Sequence, residues 1–386
     1  MTNTWHDVRA RSYRLPTRLA PVEVPLPDAV GRTLAADLRA LCDVPHYASS
    51  AMDGWAVSGP APWVLVAADR LQPGQAAPIV TGGHVPEQTH GILRSEHGAT
   101  RDGVLTPTGQ ARPDEPKQAE NVRAAGEEAR QAELVLASGT RLNPAQVAVA
   151  AVCGHDTLSV LPRPGVSLIL TGDEVVESGI PVAGRVRDSF GPQLPSFVRM
   201  LGGDIVSRHR LADNLDLLAE TISAGAGSAD LVITTGGTGH SRADHLHPAL
   251  AKLGATLLVD GIAMRPGAPS LLARLIDGRL LVGLPGNPLA AMMGMLTLVQ
   301  PLLAGLSGAA EPTLQRVVVA QDLRGTPGRS RLSPYRLVGQ AAVPTGRSGS
   351  GMLRGLAEAD GVLVCPPAGV VSGDEADSLI LPWTVG

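Results

Sequence analysis

The feature that most constrains the fold lies between residues 165 and 306, where apolar runs of strand length alternate with stretches of helical texture. In order they read VSLILTG, GPQLPSFVRML, DIVSRHRL, DLLAETISA, LVITTGG and ALAKL, closed by LLVGLPGNPLAAMMGMLTLVQPLLAGL. Strands covered on both faces read as continuous apolar runs, so this alternation predicts a three-layer α/β domain around a doubly wound parallel sheet. In the closing segment, Asn287 and Pro288 supply a cap and a first helical residue for a long apolar helix.

A chain of 386 residues exceeds one ordinary core and predicts about two to four domains. The N-terminal stretch 4–14 reads as a short helix, and DVPHYASSAMDGWAV (43–57) as an ordered loop entering a strand at 54–58. From 58 to 137, short apolar pieces separated by Gly, Pro and charge predict a small β-rich domain. Inside it, TPTGQARPDEPKQAEN is expected to be a polar, mobile loop. NPAQVAVAAVCG (143–154) predicts a helix capped by Asn143, with Pro144 in its first turn and Gly154 at its end. After Gly308, short strands return and predict a separate β domain, so the boundaries fall at 58–137, 162–308 and 309–386.

Composition narrows the function. Aromatics make up 2% of the chain and the net charge is −4, which argues against a nucleic-acid partner. An anionic ligand must then be held locally, by loops and single arginines. Cys42, Cys153 and Cys365 lack metal-ligand spacing and read as unpaired buried thiols. The charged N-terminus lacks the apolar core of a signal peptide, and no run of about 18 apolar residues predicts a membrane span. A cytoplasmic protein is expected.

In open parallel sheets, ligands collect beyond the C-terminal strand ends. Three loops are predicted there: TGDEVV (171–176), TTGGTGH (234–240) and GLPGNP (283–288). Any one could be a plain tight turn. Together at one edge, their bare backbone amides suit an anion. Asp173, Glu174 and Asp244 could share a Mg²⁺ that takes one or two carboxylates plus phosphate oxygens, the plainer reading of each being a charge favoured by a helix N-terminus. Arg265 precedes a Pro266-Gly267 turn and suits an oxyanion, although a lone arginine is more often a solvated charge. SSAMDGWAV (49–57) carries two hydroxyls and Asp53 in a stretch without periodicity. His84, His90 and His97 lack metal spacing and read as surface residues.

Taken in order, SSAMDGWAV, VTGGHVPE, ENVRAAGEEA, SGTRLNPAQVAVAAVCG, PGVSLILTGDEVV, RVRDSF, ITTGGTGHSRADH, GIAMRPGAP, GLPGNPLAA and GSGMLRGLAEADGVLV resemble the molybdopterin molybdenumtransferases, the MoeA type that includes gephyrin E domains. The resemblance runs through almost the whole chain. It implies four domains: an elongated piece from 1–57 plus 138–161, an inserted β domain, a molybdopterin-binding α/β domain and a C-terminal β barrel. It further implies a homodimer with the site between the α/β domain and the partner subunit. The implied reaction inserts molybdate into adenylylated molybdopterin, releases AMP and depends on Mg²⁺. A molybdopterin adenylyltransferase upstream and molybdoenzymes or cofactor carriers downstream are the implied partners.

Carried over by position, Asp53, Glu174, Asp244 and Arg265 match catalytic residues. Substrate contacts fall at position 51 and at Glu128, Thr171, Gly172, Asp173, Asp188, Ser189, Gly236, Gly237, Thr238, Gly239, Ser241, Pro266, Gly267, Pro285, Gly286, Asn287, Pro288 and Arg336. Glu128 replaces the usual aspartate. Ala268 stands where the family usually has lysine, Ala290 where many members have a hydroxyl, and Phe190 where asparagine is expected. The missing lysine predicts weak molybdate binding, unless Arg331 or Arg336 restores the lost charge. The turn GGTG resembles the related molybdopterin adenylyltransferases. Adenylyl transfer to molybdopterin, or non-catalytic molybdopterin delivery, are therefore the alternative activities.

Overall fold

In a computed structural model, which describes residues 3–224, 229–239 and 244–384, the alternating segment becomes a six-stranded sheet. Its strand order is Asp204–Leu211, Gly165–Thr171, Leu231–Thr235, Leu280–Leu284, Leu271–Arg274 and Thr256–Asp260. The first four strands run parallel, as the sequence predicts. The last two are antiparallel, so the sheet is mixed at that side. The cause is local: Leu271–Arg274 returns into Leu280–Leu284 through a short turn at Gly278 (φ 90°), which leaves no room for a crossover helix.

Both faces of the sheet are covered. Leu168, Leu170, Leu231, Ile233, Leu280 and Val282 pack with the helices Phe190–Met200 and Pro288–Leu306. The alternate residues Ile169, Val232 and Leu281 pack with Leu215–Ala224 and Leu246–Lys252 on the other side. That two-sided burial is why the strands read as unbroken apolar runs. The sheet belongs to a compact unit made of Met1–Val22, Gly31–Thr33 and Leu161–Gly386.

The helix Pro288–Leu306, expected from the sequence, is long and apolar enough to cross a bilayer, with mean hydropathy 1.8, contrary to the expectation that no segment would be. It is 94% buried within the protein, as a core helix is. Its middle widens into a π-helical stretch at Met295–Val299. Pro301 explains the position: its nitrogen cannot donate to the Thr297 carbonyl, and its ring crowds that carbonyl. The N-terminal helix Trp5–Arg14, capped by the Thr4 hydroxyl, packs against this stretch. Arg9 donates to the Leu296 carbonyl, to Gln300 Oε1 at 3.0 Å and to the Pro312 carbonyl at 3.1 Å. Burial pushes its guanidinium down to about 10, against the opposing charge of Glu311.

Five strands close a C-terminal barrel in the order Ser330–Val338, Ala341–Pro344, Gln315–Val319, Glu375–Ile380 and Gly361–Cys365, which pairs back to Ser330–Val338. Tyr335 fills its interior with Val319, Ala342, Leu363 and Ala376, and its phenol oxygen accepts from Ser378 Oγ at 2.9 Å. A short strand, Met264–Arg265, pairs in parallel with Ser330–Arg331 at the barrel's margin.

The second compact unit comprises Glu23–Val30 and Leu34–Val160. Its largest sheet has six strands, ordered Gly91–Arg94, Gly54–Ser58, Gln75–Ile79, Trp63–Leu65, Val104–Pro107 and Gly98–Arg101. Its helix Pro144–Val152 carries a full capping box between Asn143 and Gln146, and Gly154 takes the left-handed conformation (φ 94°) beyond its end.

The loop 106–121 is not the loose tract that its polarity suggests. It is organised around Glu115, whose side chain is 1% exposed. Glu115 accepts from the Arg112 amide at 2.9 Å and bonds His97 Nδ1 at 2.6 Å, so His97 is a partner of a buried carboxylate, not a surface residue. Burial alone would raise this carboxyl. The Arg112 amide, the His97 hydrogen bond and the charges of His97 and Arg112 outweigh it and hold the carboxyl below its ordinary range. A depressed carboxyl contributes stability that is present above its unfolded pKa and is lost as pH falls through the folded value. Acid titration of the protein should therefore loosen this loop, and Glu115→Gln should flatten that acid limb in hydrogen exchange of residues 106–121. An acid limb unchanged by the substitution would assign the loss to other groups.

Candidate functional site

The three glycine loops leave the sheet at one level. Leu170 is paired with Thr235, and Thr235 with Leu284, so TGDEVV, TTGGTGH and GLPGNP start side by side, as the sequence predicts. Thr171 Oγ donates to the Thr235 carbonyl at 2.7 Å, and the Gly236 amide donates to the Leu284 carbonyl at 2.9 Å. Gly236 and Gly237 have φ of 83° and 63°. A Cβ on Gly236 would lie 2.9 Å from Thr171 Oγ, and one on Gly239 would lie 2.8 Å from Asp244 Oδ2. Glycine is required here so that these strand ends can approach each other and Asp244 can fold over them. Thr238 is buried in this turn, and Gly286 touches it from the third loop, its Cβ position 3.8 Å from Gly236 Cα. Ser241 lies outside the described residues.

A small hollow of about 10 Å³ opens at this edge, lined by Thr171, Asp213, Asn214, Gly236, Gly237 and His245 among others. That is room for about one water. Among the described residues the buried hydroxyl of Thr234, which lines the hollow, has no hydrogen-bond partner and leaves polar capacity for a ligand. Asp213 and Asn214 were not anticipated, because they come from a loop without a glycine signal, and His245 stands at the far end of the glycine loop.

The carboxylates are less uniform than their spacing suggests. Asp173 is engaged with the neighbouring loop: its Oδ1 accepts the Asp213 amide at 3.1 Å, and its own amide donates to Asp213 Oδ2 at 3.2 Å. Glu174 is exposed, with Oε2 3.1 Å from the Cβ position of Gly172. Among the described residues no group of three His, Cys, Asp or Glu side chains is assembled to hold a metal ion. Asp173, Glu174 and Asp244 are therefore not gathered into one such group.

Asp188 has a structural task. Its Oδ1 accepts the amides of Phe190 and Gly191, each at 3.0 Å, and its Oδ2 takes a hydrogen bond from Arg210, which also lies 3.1 Å from Glu177. Asp188 therefore caps the helix Phe190–Met200, while Ser189 at the cap position makes no side-chain cap bond. Phe190 packs against the core beside that helix, so the departure from asparagine there is absorbed by packing.

The second site feature is a cleft of 560 Å³ in the same unit. One wall is the turn Arg265-Pro266-Gly267-Ala268, another is Pro285, Asn287 and Ala290, and the third carries Arg329, Arg331, Ser333, Ser348 and Ser350. Arg265 and Arg331 are register partners on adjacent parallel strands. Asn287 and Pro288 begin the long helix, but Asn287 makes no side-chain cap bond. Ala290 donates its amide to the Ser350 carbonyl at 3.2 Å, and a Cβ on Gly267 (φ 103°) would strike Met264 Cε at 2.6 Å. Three arginines and three serines thus line one cleft, a set of donors whose chemistry suits an oxyanion. Arg336 does not line it; it lies further along the strand, opposite Val343, and is exposed. Arg329, Ser348 and Ser350 escaped the sequence reading, because no local pattern ties them to Arg265.

Asp53 and Glu128 belong to the other unit. Asp53 Oδ1 accepts the amide of Thr81 at 2.6 Å and its hydroxyl at 2.9 Å, and these bonds, the amide first, hold the carboxyl below its ordinary range. Position 51 is Ala51 and offers no hydroxyl; the buried hydroxyls of this stretch are Ser49 and Ser50. Glu128 is exposed, its amide bonded to the Val44 carbonyl at 2.8 Å.

Comparison with known proteins places this geometry. Residues 4–154 match the MoeA N-terminal region (domain I and II), 167–305 a probable molybdopterin binding domain, and 316–381 the MoeA C-terminal region (domain IV). A molybdopterin molybdenumtransferase of Nostoc sp. is 30% identical over 316 residues, covering 75% of this chain and 71% of that protein. The chain belongs to the molybdopterin molybdenumtransferase family. A second molybdopterin molybdenumtransferase, from Staphylococcus epidermidis, is 27% identical over 384 residues, 93% of this chain and 90% of its own length. A crystal structure of a molybdopterin biosynthesis MoeA protein from Pyrococcus horikosii superposes with a TM-score of 0.81 over 99% of both chains. At 23% identity that likeness concerns the fold. Within the molybdopterin molybdenumtransferase frame, Ala268 and Ala290 both face the arginine cleft.

Proposed function

We propose that this chain is a transferase of molybdenum cofactor biosynthesis that inserts molybdate into adenylylated molybdopterin and releases AMP. The arginine cleft carries the reading. Arg265, Arg329 and Arg331 offer permanent positive charge at any physiological pH, and Ser333, Ser348 and Ser350 offer hydroxyl donors, a set suited to a tetrahedral dianion. The sheet edge suits the phosphate groups of the other substrate. There Gly237 and Gly239 present bare backbone in the turn beside the hydroxyl of Thr234, while the Gly236 amide is taken by the Leu284 carbonyl.

With both substrates bound, the chain acts by neutralising charge and fixing orientation. The guanidiniums hold molybdate oxygens while the turn at Gly237 and Gly239 holds the phosphate end, and water cleaves the pyrophosphate bond so that AMP leaves. The hard oxygen donors of Asp173, Glu174 and Asp244 would suit a Mg²⁺ that takes one or two carboxylates together with substrate phosphates. When bound, Mg²⁺ would neutralise pyrophosphate charge. The proposal includes a homodimer, a cytoplasmic location, an upstream adenylyltransferase and downstream molybdoenzymes or cofactor carriers, all as the family resemblance implies.

Supplying purified protein with adenylylated molybdopterin plus molybdate should release AMP, whereas molybdopterin plus ATP should give no adenylylated product. Product only in the second mixture would make it an adenylyltransferase, and binding without turnover in either would make it a delivery protein. Asp244→Asn and Glu174→Gln should each remove the response of the rate to Mg²⁺ while circular dichroism stays unchanged. Full Mg²⁺ response in both variants would take these carboxylates out of the site.

A further inference from the structure

The arginine cleft has a wall that depends on the first turns of the chain. Asn3 holds the segment ahead of Arg265: its carbonyl accepts the Ala263 amide at 2.9 Å, and its Nδ2 donates to the Gly261 carbonyl at 3.1 Å. Ala263 in turn accepts the Ser330 amide at 2.9 Å, so the strand bearing Arg265 is pinned from both sides. Two residues on, Trp5 Nε1 donates to Thr297 Oγ at 2.9 Å inside the core. The single hydroxyl proton of Thr297 goes to the Met293 carbonyl at 2.6 Å, which leaves Met264 Sδ in packing contact with the oxygen at 3.7 Å.

Met264 is fully buried and its far end closes the chain of contacts. Its Cε lies 2.6 Å from where a Cβ of Gly267 would be, with the Ala290 carbonyl 3.0 Å away on the other side. The Pro266–Ala268 turn therefore rests directly on this thioether, and Thr297 and Trp5 fix where the thioether lies. A close-packed interior passes such a displacement on, because there is no slack to absorb it. We propose that Met264, fixed by Thr297 and the N-terminal helix, is a positioning residue that sets the Arg265–Ala268 turn for oxyanion binding. This rests on the reading of the cleft as the molybdate site.

The test titrates molybdate into the full chain by calorimetry, with AMP as a second probe for the sheet edge. Met264→Leu keeps the volume but withdraws the thioether end from beneath Gly267. It should melt within about 5 °C of the unaltered protein. Its molybdate Kd should rise by about tenfold, the loss expected when one charged hydrogen bond is misaligned. AMP binding should not change. Trp5→Phe removes the indole N–H without leaving a buried donor unmet, and should move molybdate affinity in the same direction by about threefold. Molybdate affinity that depends on Arg331 yet is unchanged in both variants overturns the positioning role alone. Equal weakening of molybdate and AMP also overturns it, since that is general loosening. If the unaltered protein binds no molybdate, or binds it regardless of Arg331→Ala, the cleft reading falls and this proposal with it.

Discussion

Arg331→Ala should weaken molybdate use by roughly ten- to a hundredfold, the equivalent of about 1.5–3 kcal/mol for a charged hydrogen bond to an anion. Arg331 lines the cleft as the register partner of Arg265, with Arg329 beside them, so the proposed site draws its charge from the barrel strand in place of a lysine at Ala268. Ala268→Lys should consequently change molybdate dependence by less than about threefold, because a fourth cation gains little where three already neutralise the anion. Arg336→Ala should be silent, since Arg336 is outside the lining. The measurement is the molybdate concentration dependence of AMP release in the three variants. Strong tightening by Ala268→Lys together with an indifferent Arg331→Ala would mean that the cleft is under-charged and binds molybdate weakly.

The largest stability effect is expected at Arg9. Its side chain replaces water around the buried Leu296 carbonyl and the half-buried Pro312 carbonyl, and Arg9→Ala would leave the first unsatisfied and the second only partly hydrated. An orphaned carbonyl costs about 1–3 kcal/mol. Against this, the variant no longer dehydrates a guanidinium, the cost visible in its downward shift to about 10. A net loss of about 2–4 kcal/mol in the unit containing the α/β sheet is the expected balance. Arg9→Met keeps the apolar stem without the donors, so it should recover the packing part only. Urea unfolding followed by hydrogen exchange on the helix Pro288–Leu306 reads this unit separately from Glu23–Val160. A midpoint shift near zero for Arg9→Ala would show that the π-helical stretch satisfies its carbonyls without this side chain.

Much of the molecule was legible because its signals are local. The capping box at Asn143 and Gln146, the glycine turns at 236 and 237, and the apolar strands covered on both faces each express a constraint met within a few residues of the chain. The common level of the three loops also followed, since parallel strands of similar length end together.

What local pattern could not convey was which partner each polar group would find. Asp188 carries the same carboxylate whether it meets a ligand or two helix amides, and only the placement of Phe190–Met200 decided for the amides. Loop 106–121 looks solvated by composition, but its order comes from burying Glu115 against His97. The antiparallel side of the sheet was set by a short turn at Gly278. Arg265 and Arg331 became neighbours through strand pairing across the intervening helix and barrel strand, and Ser348 and Ser350 joined them from a barrel loop. By itself the sequence determined the elements, their buried faces and the family of chemistry. The tertiary structure alone decided the charge of the cleft, because contacts distant in sequence are selected by the closing of the whole core and not by any segment within it.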